Sequence, residues 1–152
     1  MDCLYETFTV FTFEEYKKFV EVVSNRKRSN ILLAAVSVLL LVMGIVQKTP
    51  LLIVLAIAYP FLAIFSQKIG VKKSYQNAGA MHDARVDYRF YEKHFVKVFD
   101  GKEDQFEYEK LFKVLETETN FYLMLSKTQG FVLVKANMPD GMVEFVKNGL
   151  KK

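Results

Sequence analysis

The chain has 152 residues, 51% hydrophobic and 25% charged, a formal net charge of +4 and one cysteine. That length accommodates one modest folded domain beside a membrane segment and excludes a large multidomain enzyme. With Cys3 alone, neither an intramolecular disulfide nor a cysteine-built zinc site can form.

Tyr5 to Thr12 alternates and is rich in Phe, Thr, Tyr and Val, which predicts a strand. Thr12-Phe13-Glu14-Glu15 reads as a capping box, in which Thr12 bonds the third backbone N–H and Glu15 reaches back, so a helix is expected to start there. Phe13, Tyr16, Val20 and Val23 share one face of it, a stripe expected to pack on a protein core. Met1 to Val23 holds five acidic residues and no central apolar block, so no cleavable signal peptide is expected.

Two apolar runs follow, Ile31 to Val46 and Leu51 to Phe65, separated by Gln47-Lys48-Thr49-Pro50. As helices they cover about 24 and 22 Å, short of a hydrocarbon core of roughly 30 Å. Ser29, Asn30, Gln47, Ser66 and Gln67 can extend them into the interface while Lys48 and Lys68 snorkel. The competing reading is the central helix pair of a soluble bundle. Ile31 to Val46 is interrupted only by Ser37 and Gly44 and has no wet side, so a two-span membrane hairpin is the expectation. Ala34, Ser37 and Gly44 on the first helix, with Ala56 and Ala63 on the second, are candidate helix–helix packing positions, because small side chains let backbones approach. Pro60 is expected to kink the second helix. No charge lies inside either span, which argues against an ion or proton pathway through this pair alone.

The charge excess flanks these runs. Residues 1–83 carry nine Lys/Arg against six Asp/Glu, whereas residues 84–152 carry twelve against eleven. Arg26, Lys27 and Arg28 precede the first run and Lys68, Lys72 and Lys73 follow the second, against Lys48 in the loop. Both termini are therefore expected in the cytoplasm of a multi-pass protein of the cell membrane, with the basic flanks attracting anionic lipid. A nucleic-acid partner is not expected, since the C-terminal part is nearly neutral.

Lys68 to Asp83 reads as a helix-compatible stalk weakened at Gly70 and Gly79. From Ala84 the texture turns to short β-favouring stretches. Val86, Tyr88 and Phe90 alternate with Arg85, Asp87 and Arg89, and strands follow at Phe95 to Phe99, Gln105 to Tyr108, Leu111 to Glu116, Phe121 to Ser126 and Phe131 to Lys135. Asp100-Gly101 is the strongest hairpin signal in the chain. A closing helix is expected with Pro139 in its first turn, Met142, Phe145, Val146 and Leu150 as its apolar stripe and Gly149 at its end. The resulting organisation is 1–28, an N-terminal strand and helix packing with the soluble part; 29–67, the hairpin; 68–83, the stalk; and 84–152, a bent antiparallel sheet plugged by a helix. If the Tyr5 to Thr12 strand joins that sheet, the hairpin is an insertion within one domain.

Val86-Asp87-Tyr88-Arg89-Phe90-Tyr91, Phe106-Glu107-Tyr108-Glu109-Lys110-Leu111 and Val114-Leu115-Glu116-Thr117-Glu118-Thr119-Asn120-Phe121-Tyr122-Leu123-Met124-Leu125 carry a resemblance over almost the whole chain. In these segments, and in its strand, helix and two-span order, the chain resembles the YcxB-like membrane proteins. The family's last strand often ends in an Ile-Pro-Lys type motif, whereas Val132-Leu133-Val134-Lys135-Ala136-Asn137 keeps a lysine and lacks the proline. The resemblance implies a bacterial α+β membrane protein, with a two-helix transmembrane hairpin and a PH-like antiparallel β-roll or barrel closed by the C-terminal helix. It transfers no catalytic residue.

His82 and His94 have no partner at metal-ligand spacing, and Glu14-Glu15 and Glu103-Asp104 read as solvated surface. There is no glycine-rich phosphate loop or nucleophile elbow. A PH-like fold would hold phosphoinositide with clustered cations in its first strand-to-strand loop, where this chain offers Lys93 and His94 beside Glu92. No catalytic, cofactor or metal residues are therefore assigned. The expectation is a membrane-anchored, non-enzymatic cytoplasmic module that binds an unknown protein partner. The alternative is a small integral-membrane subunit of an oligomeric or transport complex, self-associated homo-oligomers included.

Overall fold

A computed structural model describes residues 2–24 and 26–150, with the side chains of residues 26–29 and 80 outside the description. Its elements are β1 (Tyr5–Val10), α1 (Phe13–Val23), α2 (Arg26–Val46), α3 (Pro50–Gln76), β2 (Arg85–Phe90), β3 (His94–Phe99), β4 (Lys102–Glu107), β5 (Lys113–Glu116), β6 (Asn120–Met124), β7 (Gly130–Val134) and α4 (Met142–Gly149). The chain is α+β, with four helices and two antiparallel sheets in the orders β1-β2-β3-β4 and β5-β6-β7. Among the described residues these sheets form no closed barrel. Two compact units result, a β unit of Met1–Phe19 with Gly79–Lys152 and a helical unit of Val20–Ala78.

In the β unit, β1 pairs with β2 over Tyr5↔Phe90 to Val10↔Arg85. The ladder continues past both strands, Phe11 N–H donating to Ala84 and Asp83 N–H to Phe11, so the chain leaves β1 and returns to β2 at adjacent points. The β3–β4 hairpin closes on Asp100 and Gly101, both in the left-handed region (φ 50° and 72°), as a two-residue turn between right-twisted strands requires. Alternation then decides what is buried. Val86, Tyr88 and Phe90 of β2 and Phe95 of β3 share a core with Val114, Phe121, Leu123 and Leu133 of the second sheet and Met142, Val146 and Leu150 at the C-terminal end. Phe95 stacks on Phe90 and Phe106 and meets Phe131 edge-on. Phe145 of α4 packs on Tyr5, Phe90 and Tyr108.

Strand β6 is buried on both faces. Phe121 and Leu123 enter the core, while Asn120 and Tyr122 face α1, whose Phe19 ring lies 5.9 Å from Tyr122. Half of the expected capping box forms: Glu15 N–H donates to Thr12 Oγ1 at 3.3 Å. The Glu15 carboxylate does not turn back; it accepts from Asn120 Nδ2 and Lys18 Nζ. The Thr12 N–H that the box would offer it already donates to Val10 O at 2.8 Å, and the buried amide of Asn120 needs an acceptor. Glu15 and Phe19 thus make these contacts with β6, while Phe13, Tyr16, Val20 and Val23 are half-buried.

Helix α4 starts at Met142 rather than around Pro139, because Gly141 (φ 81°) caps it in the left-handed region. A Cβ there would stand 3.3 Å from the Tyr5 hydroxyl, so the turn also brings backbone close to an aromatic side chain.

In the helical unit, α2 ends at Gln47–Thr49 in a Schellman arrangement. Thr49 N–H donates to Gly44 and Lys48 N–H to Ile45, with Lys48 left-handed at φ 52°. Pro50 then opens α3 at its first turn. α3 runs unbroken through Pro60 and Gly70 to Gln76, so the first half of the expected stalk is continuous helix. Lys68 to Gln76 contains no β-branched run or proline to stop it. Among the described residues one helix, Pro50–Gln76, is long and apolar enough to cross a membrane; Asn30–Val46 is a shorter apolar helix.

Candidate functional site

The broadest unusual surface lies on α2 and α3. Ile31, Leu32, Val38, Leu39, Phe61, Leu62 and Phe65 all expose more than half of their surface. A water-soluble pair would turn such a stripe inward, and exposed apolar patches of this extent mark an interaction surface. Of the candidate packing positions, Gly44 and Ala56 are buried, Ser37 and Ala63 half-buried, and Ala34 exposed. Gly44 is where the two helices approach: a Cβ there would stand 2.8 Å from Ile53 Cγ1 and 3.1 Å from Ile53 N. The Ser37 hydroxyl donates back to Leu33 O at 3.0 Å. Lys48, Lys68, Lys72 and Lys73 are exposed, while the side chains of Arg26, Lys27 and Arg28 lie outside the described residues.

In the β unit, the edges β1 and β7 meet through side chains. Thr9 Oγ1 donates to Val132 O at 2.7 Å, Thr7 Oγ1 to Asn137 O at 2.9 Å, and Asn137 Nδ2 to Phe8 O at 3.0 Å. Thr7 and Thr9 are buried, so these bonds satisfy groups that water does not reach. Lys135, the lysine retained at the end of the last strand, donates to Glu116 at 3.0 Å and Thr117 O at 2.7 Å and lies over the Phe121 ring at 4.7 Å. It clamps β5 to β7.

An open cleft of about 610 Å³ lies outside this seam, between β1, β2 and the Ala136–Pro139 segment. Its cations are already engaged. Arg85 pairs with Asp87 at 2.8 Å and covers the Phe8 ring, and Arg89 bridges Glu6 at 3.5 Å and Glu103 at 3.0 Å. The cleft beside the β2–β3 loop is acidic: Lys93 and Glu92 of the loop share it with Glu107 and Glu109. Three carboxylates around one ammonium disfavour phosphate. His94 stacks on Tyr91, and His82 Nδ1 lies 3.1 Å from Asp83.

Comparison with family models, curated proteins and solved structures found no match to this chain. Its own chemistry must therefore carry the functional reading.

One polar cluster had no signal in the sequence. Asn120 is fully buried, contacts Glu15 and lies 3.4 Å from the Tyr122 hydroxyl, while its buried Oδ1 has no partner among the described residues. The hydrogen bond from Lys18 to Glu15 holds the ammonium above its ordinary pKa, and burial raises the Tyr122 phenol. Glu15 and Asn120 are 105 residues apart, beyond the reach of any spacing rule.

Proposed function

We propose that the chain is a membrane-anchored, non-enzymatic module whose α2 and α3 insert together as a two-span hairpin and whose β unit is presented in the cytoplasm for interaction or regulation. The observation that carries this reading is the exposure of large apolar side chains along both helices, led by Val46 at 75% and Phe61 at 71%. Such a surface is stable when lipid, rather than water, covers it. The exposed Lys68, Lys72 and Lys73 support a cytoplasmic end for α3 and contact with anionic lipid there. A PH-like β unit and a YcxB-like, bacterial affiliation remain part of the proposal, supported by the segments quoted above and by a two-sheet body with a terminal helix. The acidic cleft beside the β2–β3 loop favours a protein partner over phosphoinositide. The membrane-subunit alternative relies on small-residue faces for a second chain, and Gly44 is already used between α2 and α3.

Topology is tested with the chain's own thiol, since Cys3 is exposed. In intact cells a membrane-impermeant maleimide should leave Cys3 unlabelled until lysis. A Lys48→Cys substitution in a Cys3→Ser background should label before lysis. The reverse pattern overturns the orientation, and equal labelling of both sites before lysis overturns insertion.

A further inference from the structure

Strand β3 places Phe95, Lys97 and Phe99 on one side by its period of two, so a lysine stands in line with a fully buried phenylalanine. Lys97 is opposite Tyr88 in β2 and Asp104 in β4. Its side chain keeps only 18% of its surface exposed and lines a cleft of about 430 Å³ between the two sheets. The walls are otherwise mostly apolar, with Val86 from the first sheet and Leu125, Phe131 and Val132 from the second. That volume lies within the roughly 300–1,000 Å³ of small-molecule sites, and an apolar wall with few convergent polar groups is their usual composition.

Lys97 pairs with Asp104 at 3.4 Å and lies 5.8 Å from the Phe99 ring centroid. Asp104 is 57% exposed, so a competing anion can displace it into water at little cost. Tyr88 is almost fully buried, lines the same cleft, and its hydroxyl makes no hydrogen bond among the described residues. As a phenol it is protonated at neutral pH and available as a donor, and burial pushes its pKa further up.

We propose that this cleft binds a single-chain anionic amphiphile, a fatty-acid-like molecule whose carboxylate pairs with Lys97 and accepts the Tyr88 hydroxyl while its chain lies along Val86, Leu125, Phe131 and Val132. A cationic amphiphile meets the ammonium of Lys97, and a compact hydrophilic anion gains nothing from the apolar walls. The cleft lies wholly within the β unit, so the inference does not rest on the membrane reading.

The test is a titration of the full chain in phosphatidylcholine nanodiscs with carboxyl-13C laurate, followed by the carboxyl resonance against empty discs. A chain that stays outside the discs is titrated in buffer by the same criteria. The expected result is a saturable bound resonance at one laurate per chain, uncompeted by dodecyltrimethylammonium or inorganic phosphate. Lys97→Met should weaken binding at least tenfold, Lys97→Arg should retain it, and Leu125→Trp should abolish it by filling the cleft. Circular dichroism checks each fold; if Leu125→Trp misfolds, the Met and Arg pair decides. Signal no greater than that of empty discs, or saturable binding unchanged in Lys97→Met, overturns the proposal.

Discussion

The β unit and the helical unit dispose of apolar side chains in opposite ways. In β2 the pattern Arg85-Val86-Asp87-Tyr88-Arg89-Phe90 sends every second residue into a shared core, and all three apolar members are buried. In α2 and α3 apolar residues occupy every direction around the helix, so two helices packed against each other still leave most of them outside. Periodicity, more than hydrophobic content, separates a segment that makes its own interior from one that leaves most of its apolar side chains exposed.

The contrast breaks most visibly at two phenylalanines. Phe95→Ala removes a fully buried ring stacked on Phe90, Phe106 and Tyr108 and edge-on to Phe131, and should cost about 3–5 kcal/mol in chemical denaturation. Phe61→Ala should change the stability of detergent-solubilised protein by less than about 0.5 kcal/mol. Equal losses at the two positions would collapse the distinction between the units.

Within the helical unit, Gly44→Leu pushes a side chain into Ile53 and should destabilise the α2–α3 contact by about 1–3 kcal/mol, read as a lower thermal midpoint in detergent. Ala34→Leu, at an exposed position, should leave that midpoint in place. A drop in both variants would mean that Ala34 packs after all.

The smallest effect is alkaline. Burial raises the pKa values of Tyr88, Tyr108 and Tyr122 above the ordinary tyrosine value near 10. Because the folded pKa exceeds the unfolded one, stability is fully present below about pH 10 and is lost as pH rises through the folded values. Phenolate absorbance should show Tyr88, Tyr108 and Tyr122 titrating late, together with unfolding. Titration of these three near pH 10 would show that their rings are wet.

Much of the β unit was legible because its signals are local. All six strands after Ala84, the Asp100-Gly101 turn and the closing helix follow from alternation and turn chemistry within a few residues. Boundaries slipped where a distant group intervened, as at Gly141, which Tyr5 approaches. The candidate site was less legible. Ala34, Ser37, Gly44, Ala56 and Ala63 look alike as small residues, yet only Gly44 and Ala56 are buried, because spacing does not specify which arc of a uniformly apolar helix meets its neighbour. Lys97 reads in isolation as an ordinary strand cation; its place beside Tyr88 depends on pairing between strands.

From sequence alone, then, came the α+β composition, the strand series and the unbroken apolar character of Ile31 to Val46 and Leu51 to Phe65, all set by period and composition over short windows. Tertiary structure decided that β1 pairs with β2 across the intervening helices, that Glu15 turns to Asn120, that Thr9 joins β1 to β7 and that Lys97 lines an apolar cleft. Those outcomes depend on which buried polar groups find partners far along the chain, and desolvation imposes that requirement only once the surfaces have come together.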